Sequence, residues 1–182
     1  MIAPSSCPSP EELRAAIRTI PDFPQPGIQF KDITPLLADA RLFAGAIDLL
    51  AHSHAPGTID VVAGIDARGF LFASAVALRL HAGVVPIRKT GKLPFLTLEE
   101  SYALEYGTNT LAIHADAIRP GQRVLLVDDV LATGGTAAAT LSLIRRLGGF
   151  VVETVVLIEL SFLRGRDRLT QCPVRSLIDY SS

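Results

Sequence analysis

The run Val124–Thr136, VLLVDDVLATGGT, constrains this chain more than any other stretch. Its first four residues, Val124 to Val127, are apolar and end at charge, the pattern of a short strand buried in a parallel sheet. Asp128 and Asp129 follow at that strand's carboxyl end. Because side chains alternate along a strand, the two carboxylates should point apart, one toward a ligand and the other bracing the loop. Ala132, Thr133, Gly134, Gly135 and Thr136 are small enough to let the backbone approach a ligand, and a helix should begin there. A helix start leaves N–H groups unpaired and carries partial positive charge, which suits a phosphate; the acids in front suit sugar hydroxyls. A plain strand-to-helix turn could also use Gly-Gly. No Lys follows the glycines as in a Walker A loop, and G-x-G-x-x-G is absent here. Acids for hydroxyls and amides for a phosphate together describe a ribose 5-phosphate site.

The rest of the chain places this run in an alternating α/β frame. Ser9, Pro10 and Glu12 spell a helix start with N-cap, proline at the first position and a capping acid, and Leu13, Ala16, Ile17 and Ile20 fall on one face up to Pro21. The stretch Pro21 to Leu37 packs prolines and a glycine into a rigid loop before a short extended run. Thr34 and Pro35 suggest a capped helical turn, and Asp39 to His52 reads as an amphipathic helix. Val61 to Ile65 is a buried strand, followed by a tight turn, Asp66-Ala67-Arg68-Gly69, and a helix from about Phe70 to Leu80. Val84 to Ile87 is a third strand, delivering Arg88, Lys89 and Lys92 at its carboxyl end, where ligands of open α/β sheets bind. Alternation in Thr108 to Ile113 predicts a small hairpin standing off the main sheet, within an insertion over 95–117 that reads as a lid. The motif helix should run from Thr136 to Leu147, Val151 to Leu157 is the last strongly β-branched strand, and Val174 to Ile178 is a candidate edge strand.

Several of these stretches, in this order, resemble one family. VLLVDDVLATGGT resembles the phosphoribosyl-diphosphate (PRPP) motif of type I phosphoribosyltransferases, a superfamily that also includes regulators of transcription. PDFPQPGIQFKDITPLL, GIDARGF, IRKTGKLP and SYALEYG are similar to segments of the adenine phosphoribosyltransferases, and the resemblance extends from about Ser9 to Tyr180. It implies a mostly parallel central sheet flanked by helices, with a small hood over about 21–37 and a flexible lid hairpin. One domain is expected over 9–182, after a mobile Pro- and Ser-rich segment at 1–8.

The resemblance also implies an activity, the transfer of a phosphoribosyl group from PRPP to adenine, giving AMP and pyrophosphate in purine salvage. Asp128 and Asp129 would bind the ribose hydroxyls and the backbone of Ala132 to Thr136 the 5-phosphate. Arg68 and Gly69 would meet the pyrophosphate, often in this family across a non-proline cis peptide matching Asp66 and Ala67. Arg88, Lys89 and Lys92 would join them, in part from a neighbouring subunit of a homodimer. Gln29, Phe30 and Lys31 would offer backbone groups, an aromatic face and a cation to adenine, with Leu160 packing on the base. Many relatives carry Arg where Lys31 stands, so the cation is kept and its fork geometry lost. Glu105 would be the acid-base group and Tyr106 a closing residue, although by position alone Glu105 reads equally as a solvated loop carboxylate. Magnesium would enter bound to PRPP, with no direct protein ligand.

Composition agrees with a globular protein rather than a disordered one. Hydrophobic residues make up 49% of 182, and a formal net charge of −1 argues against bulk binding of nucleic acid. Cys7 and Cys172 form neither a disulfide framework nor a metal spacing, and the start of the chain has neither a basic leader nor an apolar run. The expectation is a cytoplasmic protein that uses neither membrane nor nucleic acid. Two other readings remain open, a transferase for another base and a PRPP-sensing regulator without catalysis. The proline-rich loop and SYALEYG argue against the first, and the lack of a basic face or helix-turn-helix segment against the second.

Overall fold

A computed structural model of the chain describes residues 7–103 and 108–182. The chain divides into two compact units, Met1–Leu49 and Leu50–Ser182. In the first, helix α1 (Pro10–Ala15) opens with a reciprocal capping box: the Glu12 amide donates to Ser9 Oγ at 3.3 Å, and the Ser9 amide donates to Glu12 Oε2 at 2.9 Å. The two bonds satisfy donors that a helix start leaves unpaired.

The helix does not continue to Pro21 as its periodicity suggests. Residues after Ala16 leave it to form strand β1 (Arg18–Pro21), antiparallel to β2 (Gln29–Asp32) in a sheet of two strands. Leu13 and Ile17 are buried, but Ile20 is 37% exposed. Pairing overrides helix spacing here because the ends of the two strands are tied together: Arg18 donates to Asp32 Oδ2 at 2.7 Å and to Thr34 Oγ1 at 3.0 Å. The proline-rich stretch becomes the hairpin connection, closed where the Gly27 amide donates to Asp22 Oδ1. Helix α2 (Thr34–Ala38) starts one residue earlier than Thr34 as a cap would allow. Asp32 supplies the acceptors instead, taking both the Thr34 amide and its hydroxyl at 2.9 Å. Asp39 accepts from the amides of Arg41 and Leu42 at the start of α3 (Ala40–Ala51).

The second unit is built on a sheet of seven strands. Their ranges are β3 Val61–Ile65, β4 Gly83–Lys89, β5 Thr97–Ala103, β6 Thr108–His114, β7 Arg123–Leu131, β8 Phe150–Leu160 and β9 Val174–Tyr180. The spatial order is β5-β6-β4-β3-β7-β8-β9, with β4, β3, β7, β8 and β9 parallel and β6 antiparallel to both neighbours. Helices α4 (Gly69–Leu80) and α5 (Gly135–Arg146) flank it. All five residues of β3 and Val124–Val127 of β7 are buried, which explains why both strands read as unbroken apolar runs. Each fully buried valine or leucine of this kind contributes about 1.5–3 kcal/mol relative to exposure.

The β5–β6 hairpin departs from expectation. It does not stand off the sheet: Arg88 and Lys89 of β4 pair with Ala112 and Leu111 of β6, so the hairpin extends the sheet at that edge. Leu111, Ala112 and Ile113 are all buried, so this part of the strand is covered on both faces, which a free-standing ribbon would not be. The hairpin is also held to α5, because Arg146 donates to the Glu99 carbonyl and to the Glu100 carboxylate.

Candidate active site

Parallel strands β3, β4 and β7 end on the same side of the sheet, so the turns that leave them gather at one edge. There a cleft of about 320 Å³ is bordered by Asp66–Arg68 from the end of β3, by Asp128–Gly134 from β7 and the loop after it, and by Thr136 at the start of α5. Three groups expected from the sequence to act together are therefore neighbours: the acid pair, the small-residue loop, and the turn carrying Arg68.

The acid pair sits where carboxylates are hard to keep charged. Burial pushes the Asp128 carboxyl well up, and the neighbouring Asp129 charge adds to the rise. Burial also raises Asp129, which Arg68 partly counters. Asp129 is 5% exposed, and Arg68 Nε lies 2.8 Å from its Oδ2. The Oδ2 atom is buried and has no aligned hydrogen bond, so Arg68 holds it as an ion pair. Asp128 Oδ1 accepts from the Asp129 amide at 2.9 Å. Gly69 explains how helix α4 comes so close: a Cβ there would lie 2.5 Å from Asp128 Oδ1. The peptide between Asp66 and Ala67 is cis.

The loop after β7 delivers the start of α5 to the same cleft. Gly134 occupies the cap position with φ +78°, a left-handed conformation that side chains resist, and Gly135 begins the helix. The amides of the first turn have no partners within the helix. Thr136 donates its hydroxyl to Tyr102 Oη at 3.0 Å, joining the loop to strand β5. The sequence reading missed this contact because it links residues 34 positions apart.

At the end of β4, Arg88 Nε donates to Asp66 Oδ2 at 2.9 Å and its Nη1 to the Lys92 carbonyl at 3.0 Å. Arg88 is thus joined to the β3 turn, while Lys89, the last residue of β4, and Lys92, on the turn beyond, are exposed. Leu160 is the last residue of β8, partly buried and opposite Tyr180 of β9. In the other unit Gln29, Phe30 and Lys31 lie on β2. Gln29 is exposed, the Phe30 ring packs edge-on against Phe23 with centroids 5.1 Å apart, and Lys31 Nζ donates to Thr19 Oγ1. Glu105 and Tyr106 lie outside the described residues. Among the described residues no cluster of three or more His, Cys, Asp or Glu is placed to hold a metal ion, and no helix is long and apolar enough to cross a membrane.

Comparison with known proteins gives this arrangement its context. A family model for the phosphoribosyl transferase domain matches residues 30–176. The adenine phosphoribosyltransferase of Acidothermus cellulolyticus is 60% identical over 168 residues, covering 92% of this chain and 95% of the relative. The crystal structure of the adenine phosphoribosyltransferase of Rhodothermus marinus superposes with a TM-score of 0.90 at 53% identity, covering 94% of this chain and 98% of that one. That of Saccharomyces cerevisiae, complexed with an imino-altritol bisphosphate and adenine, superposes at 0.87 with 40% identity, over 92% and 97% of the two chains.

Proposed function

The chain belongs to the adenine phosphoribosyltransferases, and from that premise we propose how its own residues carry the reaction. The protein transfers the 5-phosphoribosyl group of PRPP to adenine, forming AMP and pyrophosphate. One observation carries the assignment of its site: an acid pair at the end of β7 shares a cleft with the small-residue start of α5 and with Arg68.

The chemistry requires pyrophosphate to leave the anomeric carbon as a ring nitrogen of adenine arrives, with positive charge building on the ribose. Asp128 and Asp129 would accept hydrogen bonds from the ribose hydroxyls and lie near that charge. Their raised carboxyl values suit this role, since a cationic ribose in a dry cleft favours the charged form that burial disfavours. The backbone of Ala132 to Thr136 would fix the 5-phosphate at the positive end of α5. Arg68, Arg88, Lys89 and Lys92, with the Gly69 backbone, would stabilise the departing pyrophosphate. For Arg68 this means exchanging Asp129 for a phosphate oxygen.

Magnesium fits as an ion carried by PRPP. The two carboxylates that border the cleft, Asp128 and Asp129, suit a hydroxyl or a metal-bound water better than a closed metal cage. When bound, the ion offsets the charge of the diphosphate. On the adenine side the resemblance supports Gln29, Phe30, Lys31 and Leu160 as base contacts, Glu105 as the group that manages the imidazole proton, and Tyr106 as a closing residue. A homodimer is supported by α4, whose Leu71 and Leu78 are 48% and 80% exposed, an apolar face suited to a second copy of the chain. We assign the enzyme to the cytoplasm, where two free thiols are at ease.

Incubation with PRPP, magnesium and a panel of bases tests the function: adenine should yield AMP, and hypoxanthine, guanine, xanthine, uracil and orotate should yield nothing. Transfer to another base would keep the PRPP site and discard the base assignment. Glu105→Gln should lower turnover with adenine by about 100-fold or more, as for other positioned acid-base groups; turnover near that of the parent would remove Glu105 from the mechanism.

A further inference from the structure

After β8 the chain makes two short 3-10 turns, and the second, Gly165–Arg168, presses on the loop that follows β7. The contact is between backbones. A Cβ on Gly165 would lie 2.0 Å from the Ala132 carbonyl oxygen and 2.8 Å from the Gly134 nitrogen, and one on Gly134 would lie 2.2 Å from the Gly165 carbonyl oxygen. Neither position accepts a side chain unless the loop or the turn moves. The approach is thus specified from both sides by glycine.

The turn is itself anchored. Arg166 donates through Nε to Glu159 Oε1 at 2.9 Å, through Nη2 to Glu159 Oε2, and through Nη1 to the Val174 carbonyl at 2.6 Å. Ser176 of β9 donates to Glu159 Oε2 at 2.8 Å. Glu159 is 6% exposed and lies opposite Leu131 in the β7–β8 ladder, one residue before Ala132. The hydrogen bonds from Arg166 hold its carboxyl below the usual range, so the pair stays charged. A two-pronged guanidinium–carboxylate contact fixes orientation as well as distance.

We propose that Gly165 and Arg166 are positioning residues for the 5-phosphate loop, setting the direction of its amides from behind. The peptide plane explains how. In a trans peptide the carbonyl of one residue and the N–H of the next point in opposite directions. Holding the Ala132 carbonyl against Gly165 therefore fixes the direction of the Thr133 N–H, and holding Gly134 fixes the first turn of α5. Neither residue needs to touch PRPP. This inference rests on the reading that Ala132 to Thr136 bind the 5-phosphate.

Steady-state kinetics of Gly165→Ala, Arg166→Ala and Arg166→Lys, with Thr133→Pro alongside to remove one amide of the loop, separate the possibilities. Gly165→Ala should raise KM for PRPP about 10-fold or more while KM for adenine stays within about twofold, since a displacement near 1 Å is enough to spoil a preorganised site. Arg166→Ala should do the same less strongly, and Arg166→Lys should recover part of the loss by keeping one donor. The affinity for AMP, which carries the same 5-phosphate, should fall in parallel. A folded Gly165→Ala with unchanged KM for PRPP overturns the proposal. So does a loss of activity that only tracks the loss of Tm, with both KM values unmoved. If Gly165→Ala does not fold, the split between the two KM values in the Arg166 pair decides by the same criterion. If Thr133→Pro, which removes a loop amide, also leaves KM for PRPP unchanged, the loop assignment itself fails; if it raises KM and the turn variants do not, the turn alone is wrong.

Discussion

Strands β3 and β7 lie side by side and carry an arginine–aspartate pair near each end, and the two pairs are built in opposite ways. At the amino end, Arg123 Nη2 donates to Asp60 Oδ1 at 2.8 Å and Nε to Oδ2 at 3.1 Å, while the Arg123 amide donates to Oδ2 at 2.6 Å and Nη2 also reaches the Gly57 carbonyl. Those bonds lower the Asp60 carboxyl to about 2. At the carboxyl end, Arg68 meets Asp129 at 2.8 Å, yet Asp129 Oδ2 has no aligned donor and both acids of the pair are raised. Same strands and same residue types give a satisfied clamp at one end and an unsatisfied acceptor at the other. What differs is burial, which raises the Asp129 carboxyl, and position, since only the second pair borders the cleft.

The sharpest way to break this comparison is to neutralise an acid at the carboxyl end. Asp129→Asn should lower turnover by roughly 100- to 1000-fold, the usual effect of removing one preorganised charge from a site of this kind. Turnover near that of the parent in a steady-state assay would mean that the unmatched oxygen has no catalytic use. Arg123→Ala at the amino end should do the reverse. Its urea midpoint should fall, because Asp60 loses its main donors, while turnover per folded molecule stays unchanged. A loss of turnover without a loss of stability would erase the distinction between the ends.

How far these ends can be read from sequence differs as well. The buried strand, the acid pair and the glycines are contiguous in VLLVDDVLATGGT, so their spacing alone announces a site. Arg68 was reached through the resemblance of GIDARGF to a family segment. Arg123 and Asp60, separated by 63 positions, carry no local signal. The same holds for Tyr102 against Thr136 and for Glu159 with Arg166, although an acid inside a strand as β-branched as β8 is a sign that something pairs with it. Local rules failed where partners compete: Ile20 continues the helix face of Leu13, Ala16 and Ile17, yet Arg18 to Pro21 pair with Gln29 to Asp32, and Thr108 to Ile113 alternate like a free hairpin but are claimed by the edge of β4. Periodicity reports what a segment could bury, and the neighbouring strand decides what it does.

A smaller effect concerns the ligand-free protein near neutral pH. The Asp128 carboxyl is raised by burial and by Asp129, so the folded chain holds protons that the unfolded chain releases above about pH 4. Stability linked to this group is greatest below that pH and is lost as pH rises through its raised value. Asp128→Asn removes the charge but keeps an oxygen for the Asp129 amide. It should raise the Tm of the ligand-free protein at pH 7 and flatten that part of the pH profile while lowering activity. A Tm that falls at pH 7 would show that the cost assigned to the buried Asp128 charge is absent.

The smallest effect expected is at the other end, and its sign is opposite. Asp60 is lowered to about 2, so the folded chain releases a proton that the unfolded chain, with an ordinary value near 3.9, still holds. The stability it contributes is complete above about pH 4 and is lost as pH falls through about 2. Because the side chains of Asp60 and Arg123 are 33% and 44% exposed, solvent and salt screen the pair, and the slope should be shallow and shrink at high salt. Urea midpoints measured from pH 5 to pH 2 should show this limb in the parent and lose it in Arg123→Ala, with Asp128→Asn leaving it intact. If Asp128→Asn removed the acid limb instead, the two ends of β3 and β7 would have exchanged roles, and the clamp would lie at the cleft.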